Sequence, residues 1–249
     1  MDFTWQALAV LAVVALVAGL LDTLAGGGGL ITVPALLLAG VPPLQALGTN
    51  KLQAPAGTGM ATYQVIRRHG VRWADVRWPM LWAFVGSVAG TIGILFVPVT
   101  SLEVIIIVVL GLVAAYFLFV PRSHQPPPEP RMSAAIHDAT VVPAIGAYDG
   151  AFGPGTGSLY ALSGVALRAL PLRRSTAIAK TLNFATNVAS LIVFIFAGQV
   201  LWLVGGVMIV GQLIGAYIGS HILLRVHPMV LRVLIVLVSL TMLWRVLVS

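Results

Sequence analysis

The sequence predicts an all-α, polytopic membrane protein built from two inverted-topology repeats. Each repeat reads as a broken, re-entrant helical pair followed by three transmembrane helices. Three observations predict this. Of 249 residues, 59% are hydrophobic and only 8% are charged, and the mean hydropathy is +1.02. A soluble domain carries roughly 25% charged residues, because its surface must meet water. Long apolar runs recur in the same order in both halves. The few charges concentrate in a handful of loops.

The first run, Trp5 to Leu24, ends at Ala25 and the run Gly26-Gly27-Gly28-Gly29. Leu30 to Ala39 follows and stops at Gly40-Val41-Pro42-Pro43. Ten helical residues reach about 15 Å, half of a bilayer core of about 30 Å, so this segment reads as a half-helix. Leu44 to Ile66 is a span interrupted by Asn50, Lys51 and Pro55, and Trp78 to Phe96 and Ser101 to Phe119 are ordinary spans. The segment 121–138, with Pro126-Pro127-Pro128, reads as a linker between a first repeat at 1–120 and a second at 139–249. Ala139 to Phe152 is then a short arm, Gly153-Pro154-Gly155-Thr156-Gly157 breaks it, and Ser158 to Leu167 is a second half-helix. Leu172–Ala197, Leu201–Leu224 and Met229–Val248 complete the order. The N-terminus has no basic region ahead of its apolar run, so a cleaved signal peptide is not expected.

Residue matches support duplication. Asp22 and Asp149 each precede a glycine loop by four residues, and Lys51 and Lys180 stand 129 residues apart in the first full span of each half. Gly86-x-x-x-Gly90 maps onto Gly215-x-x-x-Gly219 at that same offset. These glycines, with Gly211, read as small-residue packing faces.

Charge sets the orientation. Eleven of twelve arginines lie in four loops: Arg67, Arg68, Arg72 and Arg77; Arg122 and Arg131; Arg168, Arg173 and Arg174; Arg225 and Arg232. The positive-inside rule places those loops in the cytoplasm and the uncharged turns at 40–43, 97–100 and 198–200 outside. Three spans per half is an odd number, so the halves face opposite ways, an arrangement common in secondary transporters. Trp5, Trp73, Trp78 and Trp202 suit interfacial belts, and Arg245 can snorkel outward.

Both lysines of the chain, Lys51 and Lys180, fall at membrane depth, as do Asp22 and Asp149. A charge at the bilayer centre costs about 2.5–3.5 kcal/mol on insertion scales, so it pairs or meets water. One reading is that Asp–Lys pairs lock the hairpins to the spans. The other is that the lysines face an anion. Each glycine loop feeds a half-helix N-terminus, whose unpaired N–H groups and positive dipole end attract anions. Gly27, Gly28, Gly155, Thr156 and Gly157 would supply those groups, and two inverted loops would converge near the midplane. Asn183 and Asn187 share a helical face with Lys180, Asn50 neighbours Lys51, and Thr49 and Thr58 stand close by. His69, His124, His137 and His227 read as loop residues and His221 as a helix end, none as a ligand. Glu103 reads as interfacial.

The runs Gly26-Gly27-Gly28-Gly29, Ala46-Leu47-Gly48-Thr49-Asn50-Lys51 and Gly146-x-x-Asp149-Gly150-x-x-Gly153-x-Gly155-Thr156-Gly157, with Ala179-Lys180-x-x-Asn183, resemble the TauE/SafE family of sulfite and organosulfonate exporters. The resemblance covers nearly the whole chain. It implies movement of small sulfur-containing anions across the bacterial inner membrane, and some members are thought to import. Pro154 stiffens the second loop relative to a more flexible residue.

The expected function is thus secondary transport, as an exporter, of a small sulfur-containing organic or inorganic anion, with an anion channel or an importer of a related small anion as the alternatives. An enzyme is not expected, since no H-E-x-x-H or G-x-S-x-G occurs, and no G-x-x-x-x-G-K-[ST] supports ATP use. No cofactor, metal or nucleic acid is expected. The partners are the small anion, the lipid bilayer and, with the sequence neutral on the point, further copies of the chain. Absent cysteines exclude disulfides and thiolate sites.

Overall fold

A computed structural model describes residues 3–25, 27–68, 71–119 and 126–222. The described residues form nine α-helices and no strand. The first half holds α1 (Trp5–Ala25), α2 (Gly29–Leu38), α3 (Pro43–Arg68), α4 (Trp73–Leu95) and α5 (Val99–Phe119). The second holds α6 (Ala134–Ala151), α7 (Thr156–Arg168), α8 (Leu172–Phe196) and α9 (Trp202–Ile222). The expected span at 229–248 lies outside the described residues. So do Gly26, His69, His124, His227, Arg122, Arg225, Arg232 and Arg245, and the side chains of Arg68 and His221.

Local chemistry accounts for the element ends. Gly153 and Gly155 adopt φ of +94° and +79°, a left-handed geometry that only glycine takes without strain, and this folds the α6–α7 turn. The α6 helix begins at Ala134, five residues before the expected arm and inside the segment assigned to the linker. Its start is set by Ser133, whose hydroxyl accepts the Ile136 N–H at 3.3 Å as an N-cap. His137 is therefore a buried helix residue and not a loop residue. Its Nε2 lies 3.2 Å from the Ser163 hydroxyl and its Nδ1 3.1 Å from an Asp138 oxygen. In α3, Pro55 has no N–H for the carbonyl of Lys51, which leaves that carbonyl outside the helical ladder.

The two halves interlock. The long arm of the first hairpin, α1, lies along α9, and the long arm of the second, α6, lies along α4. Glycine makes both contacts close. A Cβ on Gly86 would fall 2.1 Å from the Pro143 carbonyl oxygen and one on Gly90 1.9 Å from that of Ala147. In the other pair, a Cβ on Gly211 would fall 2.1 Å from the Ala12 oxygen and one on Gly215 1.8 Å from that of Leu16. Contact also runs the other way, with Gly146 against Ala83 and Gly19 against Gln212. In each pair the residue numbers climb together, so each pair is parallel. The expected small-residue packing faces are present at Gly86, Gly90, Gly211 and Gly215.

The lysine helices α3 and α8 instead run antiparallel. Gly48 meets Phe194, Gly59 meets Phe184, and the Thr62 hydroxyl donates to the Lys180 carbonyl. Hydroxyls stitch α4 to its neighbours, as intramembrane polar side chains do. Ser87 donates to the Thr186 carbonyl at 2.8 Å, and Thr91 donates to that of Gly150 at 3.0 Å.

Among the described residues, α1, α4, α8 and α9 are long and apolar enough to cross a bilayer. The α1 helix thus has full spanning length, the weak point of a purely re-entrant first hairpin. Exposed side chains on these helices and α5 include Val13, Val85, Val108, Leu112, Val210 and Ile214, while Lys51, Asp149, Asn50 and Asn187 are buried. Apolar outside and ionised inside suits lipid and not water.

Candidate functional site

Where the interlocked halves meet, a small polar cavity is lined by Asp22, Gly28, Gly29, Asn50, Lys51, Gln53, Ala54, Asp149, Gly153, Asn183, Asn187 and Gln212. Both glycine loops reach it. A Cβ on Gly29 would sit 3.5 Å from the Cα of Pro154, and one on Gly153 3.0 Å from the Lys51 Nζ. The tips of the two glycine loops therefore converge, in line with the expectation from the sequence.

The lysines reach across to the opposite half. Lys51, on α3, is 1% exposed, and its ammonium donates to Asp149 Oδ1 at 2.9 Å and to Asn187 Oδ1 at 3.1 Å. The Thr156 hydroxyl divides its one hydrogen between the same Asp149 oxygen at 2.9 Å and the Gly153 carbonyl at 2.7 Å. Lys180, on α8, donates to the backbone carbonyl of Asp22, and no carboxylate among the described residues lies within 4.0 Å of it. Each ammonium thus meets the last turns of the other half's long arm, the negative end of a helix dipole. The Asp22 carboxylate accepts the Gly28 N–H at 3.3 Å, tying the first loop to α1.

The amides are partly committed. Asn50 Oδ1 accepts from the Thr32 hydroxyl at 2.5 Å and from Gln53 Nε2 at 3.1 Å. Asn187 Nδ2 donates to the Asn183 carbonyl at 2.8 Å and to its side-chain oxygen at 3.1 Å. Three buried side-chain oxygens have no partner among the described residues: Gln53 Oε1, Asp149 Oδ2 and Gln212 Oε1. All three residues line the cavity.

Of the residues picked from the sequence, Lys51, Asn50, Asn183, Asn187, Gly28, Asp22 and Asp149 line this cavity. Lys180, Gly27, Gly155, Thr156 and Gly157 stand outside its lining, although Thr156 holds the Asp149 carboxylate. Thr49 accepts the Leu201 N–H at 3.1 Å and braces the α8–α9 turn, and Thr58 donates to the Ala54 carbonyl of its own helix. Gln53 and Gln212 escaped the sequence reading. Gln53 lies one helical turn beyond Asn50, and Gln212 is a lone amide between packing glycines, so each carried a usable signal.

The family model described as "Sulfite exporter TauE/SafE" matches residues 11–246. The chain belongs to the TauE/SafE family. Curated relatives match over most of their length. A probable membrane transporter protein of Haemophilus influenzae is 39% identical over 242 residues, covering 97% of this chain and 95% of that one. One from Sinorhizobium is 41% identical over 246 residues, covering 99% and 94%. The probable membrane transporter protein YfcA of Escherichia coli K12 is 41% identical over 235 residues, covering 94% and 87%. No solved structure matches the chain significantly. With its apolar helices, membership makes this TauE/SafE chain a multi-pass membrane protein of a transporter family.

Proposed function

We propose that the chain is a secondary transporter of small sulfur-containing oxyanions, of the sulfite and organosulfonate class, working as an exporter by alternating access between two inverted repeats. The observation that carries this reading is Lys51. It is a fixed cation, 1% exposed, on a polar cavity at the meeting point of two glycine loops. Sulfonate and sulfite oxygens need cationic and N–H donors; Lys51 and Asn183 offer that chemistry directly, and the Asn187 and Gly28 N–H groups, held here by Asn183 and Asp22, offer it on exchanging those partners. Lys180 is assigned as the second, weaker anion contact, reached when the halves rock.

Three features favour an inverted carrier over an open channel. The antiparallel α3 and α8 carry the equivalent lysines. The α1–α9 and α4–α6 pairs repeat one contact with the halves exchanged. Both lysines are occluded, at 1% and 7% exposure, as a carrier requires between its open states. The parallel pairs also agree with the charge pattern: α4 and α6 begin at basic loops, taken as cytoplasmic, and α9 begins at an uncharged turn, taken as external. The family and its bacterial relatives support assignment to the bacterial inner membrane.

The test is flux of a labelled sulfonate in proteoliposomes. Lys51→Ala is expected to abolish it and Lys180→Ala to reduce it. Wild-type flux in both variants sinks the assigned site.

A further inference from the structure

We infer that Asp149 is the proton carrier of the transport cycle: protonation of its free oxygen releases Lys51 to the anion, so one proton travels with each monovalent anion. This rests on the anion-site reading above and adds the coupling ion to it.

The two oxygens of Asp149 are held unequally. Asp149 Oδ1 accepts from the Lys51 ammonium at 2.9 Å and shares the Thr156 hydroxyl, at 2.9 Å, with the Gly153 carbonyl, at 2.7 Å. Asp149 Oδ2 is buried and has no partner among the described residues. The two other unpartnered buried oxygens, Gln53 Oε1 and Gln212 Oε1, are also acceptors, and all three residues line one cavity. A buried acceptor without a donor is costly, and native structures normally satisfy it. An oxyanion brings acceptors only, so it relieves none of the three. A metal cation is disfavoured by the Lys51 ammonium already on the same carboxylate. Water in the cavity can donate to any of the three, but only a proton on Asp149 Oδ2 also changes the charge that Lys51 faces. It turns that oxygen from an unpaired acceptor into a donor for the amide oxygens or for water in the cavity.

Protonation also changes what Lys51 faces. A neutral carboxyl holds an ammonium far less strongly than a carboxylate does. The Asn187 oxygen at 3.1 Å keeps the ammonium in place, and an incoming oxyanion takes over as its charged partner. The step balances simply. A proton leaves water on the side to which the cavity opens and forms the Oδ2–H bond. It returns to water on the other side when that bond breaks, and Lys51 keeps its own protons throughout. The empty pair, Lys51 ammonium with Asp149 carboxylate, is neutral. The loaded site, Lys51 ammonium with Asp149 carboxylic acid and a monovalent anion, is neutral too. The carrier therefore reorients without net charge in the bilayer in either state. Transport direction follows the sum of the anion and proton gradients, and export proceeds when the outward anion gradient is the steeper.

Other ionisable groups around Asp149 are Lys51 on α3, Tyr160 on α7 and Tyr148 on α6 itself, with Asp22 of α1 in electrostatic reach of Lys51. On the facing helices, α4 presents Ser87 and Thr91, α9 presents Gln212, and α8 presents Asn187, with its Lys180 held at Asp22. Asp149 is the carboxylate in contact with Lys51, so it is the group whose proton can gate it.

The experiment uses the full chain in proteoliposomes with a trapped pH-sensitive dye and the potential clamped at zero by valinomycin and potassium. Methanesulfonate is the probe, since it is anionic at every working pH and carries no proton itself. Wild-type uptake is expected to acidify the lumen by one proton per anion, to rise as external pH falls, and to be unmoved by an imposed potential. Uptake retained by Asp149→Asn is expected to come without acidification. Wild-type uptake without acidification overturns the coupling and leaves the anion site standing, and this result needs no variant to fold. Acidification persisting alongside uptake in Asp149→Asn also overturns it. Absence of wild-type uptake, or wild-type rates in Lys51→Ala, removes the anion site and the coupling with it.

Discussion

Alanine at Gly86 and at Gly215 tests the interlock of the two halves. The ideal Cβ would lie 2.1 Å from the Pro143 oxygen in the first case and 1.8 Å from the Leu16 oxygen in the second. Carbon meets a carbonyl oxygen comfortably at about 3.3 Å, so the helices must part by about 1.2 and 1.5 Å. Both obstacles are backbone atoms, and no side-chain rotation relieves them. Overpacking of this kind costs about 1–3 kcal/mol. The intrinsic helix preference of alanine over glycine, about 1 kcal/mol, offsets part of that. Gly93 in α4 and Gly206 in α9 supply the control, because a Cβ at either meets nothing within 4 Å. There alanine keeps only the helix preference. Thermal unfolding in one detergent, followed by circular dichroism, should therefore show opposite signs. Gly86→Ala and Gly215→Ala should melt below wild type by similar amounts, and Gly93→Ala and Gly206→Ala should melt at or above it. Melting of the first two at or above wild type would refute the close approach. A large gap between them would refute the equivalence of the two helix pairs.

Removing one member of the buried ion pair should be worse than removing both. Lys51→Ala leaves Asp149 buried and uncompensated, a loss of about 3–5 kcal/mol, and adding Asp149→Ala should recover much of it in the same unfolding assay. Absence of recovery argues against the pair. Ser133→Ala removes the α6 cap at about 1 kcal/mol, and amide exchange at 134–137 should quicken while that of α8 stays unchanged. Because the chain has no cysteine, single thiols report sidedness directly. In whole cells, Pro98→Cys should react with an impermeant maleimide, and Ala169→Cys should react only after permeabilisation. The reverse pattern inverts the orientation.

Most helices can be read from the sequence because their determinants are local. The α8 boundaries, the end of α4 and the starts of α5 and α9 fall near the ends of apolar runs, where a tryptophan, a proline or a charge marks the interface, whereas α4 starts at Trp73, five residues ahead of the expected Trp78. The α6 helix starts at Ala134 and not at the expected Ala139 for an equally local reason. The residues 134–138 include His137 and Asp138 and look like linker, yet the Ser133 cap and the burial of His137 on Ser163 carry the helix through them. In the cavity, Lys51, Asn50, Asn183 and Asn187 stood out because polar groups at membrane depth are conspicuous. Gln53 and Gln212 were overlooked because a single amide in a span is most often helix-to-helix glue. Only their convergence with Asp149 on one cavity, each with an oxygen that has no partner among the described residues, distinguishes them.

The sequence by itself determined the class of molecule, the order of its helices and the identity of the charges held in the bilayer. Those follow from the length of chain that spans a hydrocarbon layer and from the cost of ions within it, both properties of short segments. The tertiary structure alone decided which partners those charges take. Lys51 pairs with Asp149, 98 residues away, and Lys180 reaches the carbonyl of Asp22 across 158 residues, so each half supplies the cation for the other. That crossing depends on α1 lying against α9 and α6 against α4. Such packing is set by backbones meeting at glycines far apart in the chain, which no local pattern records.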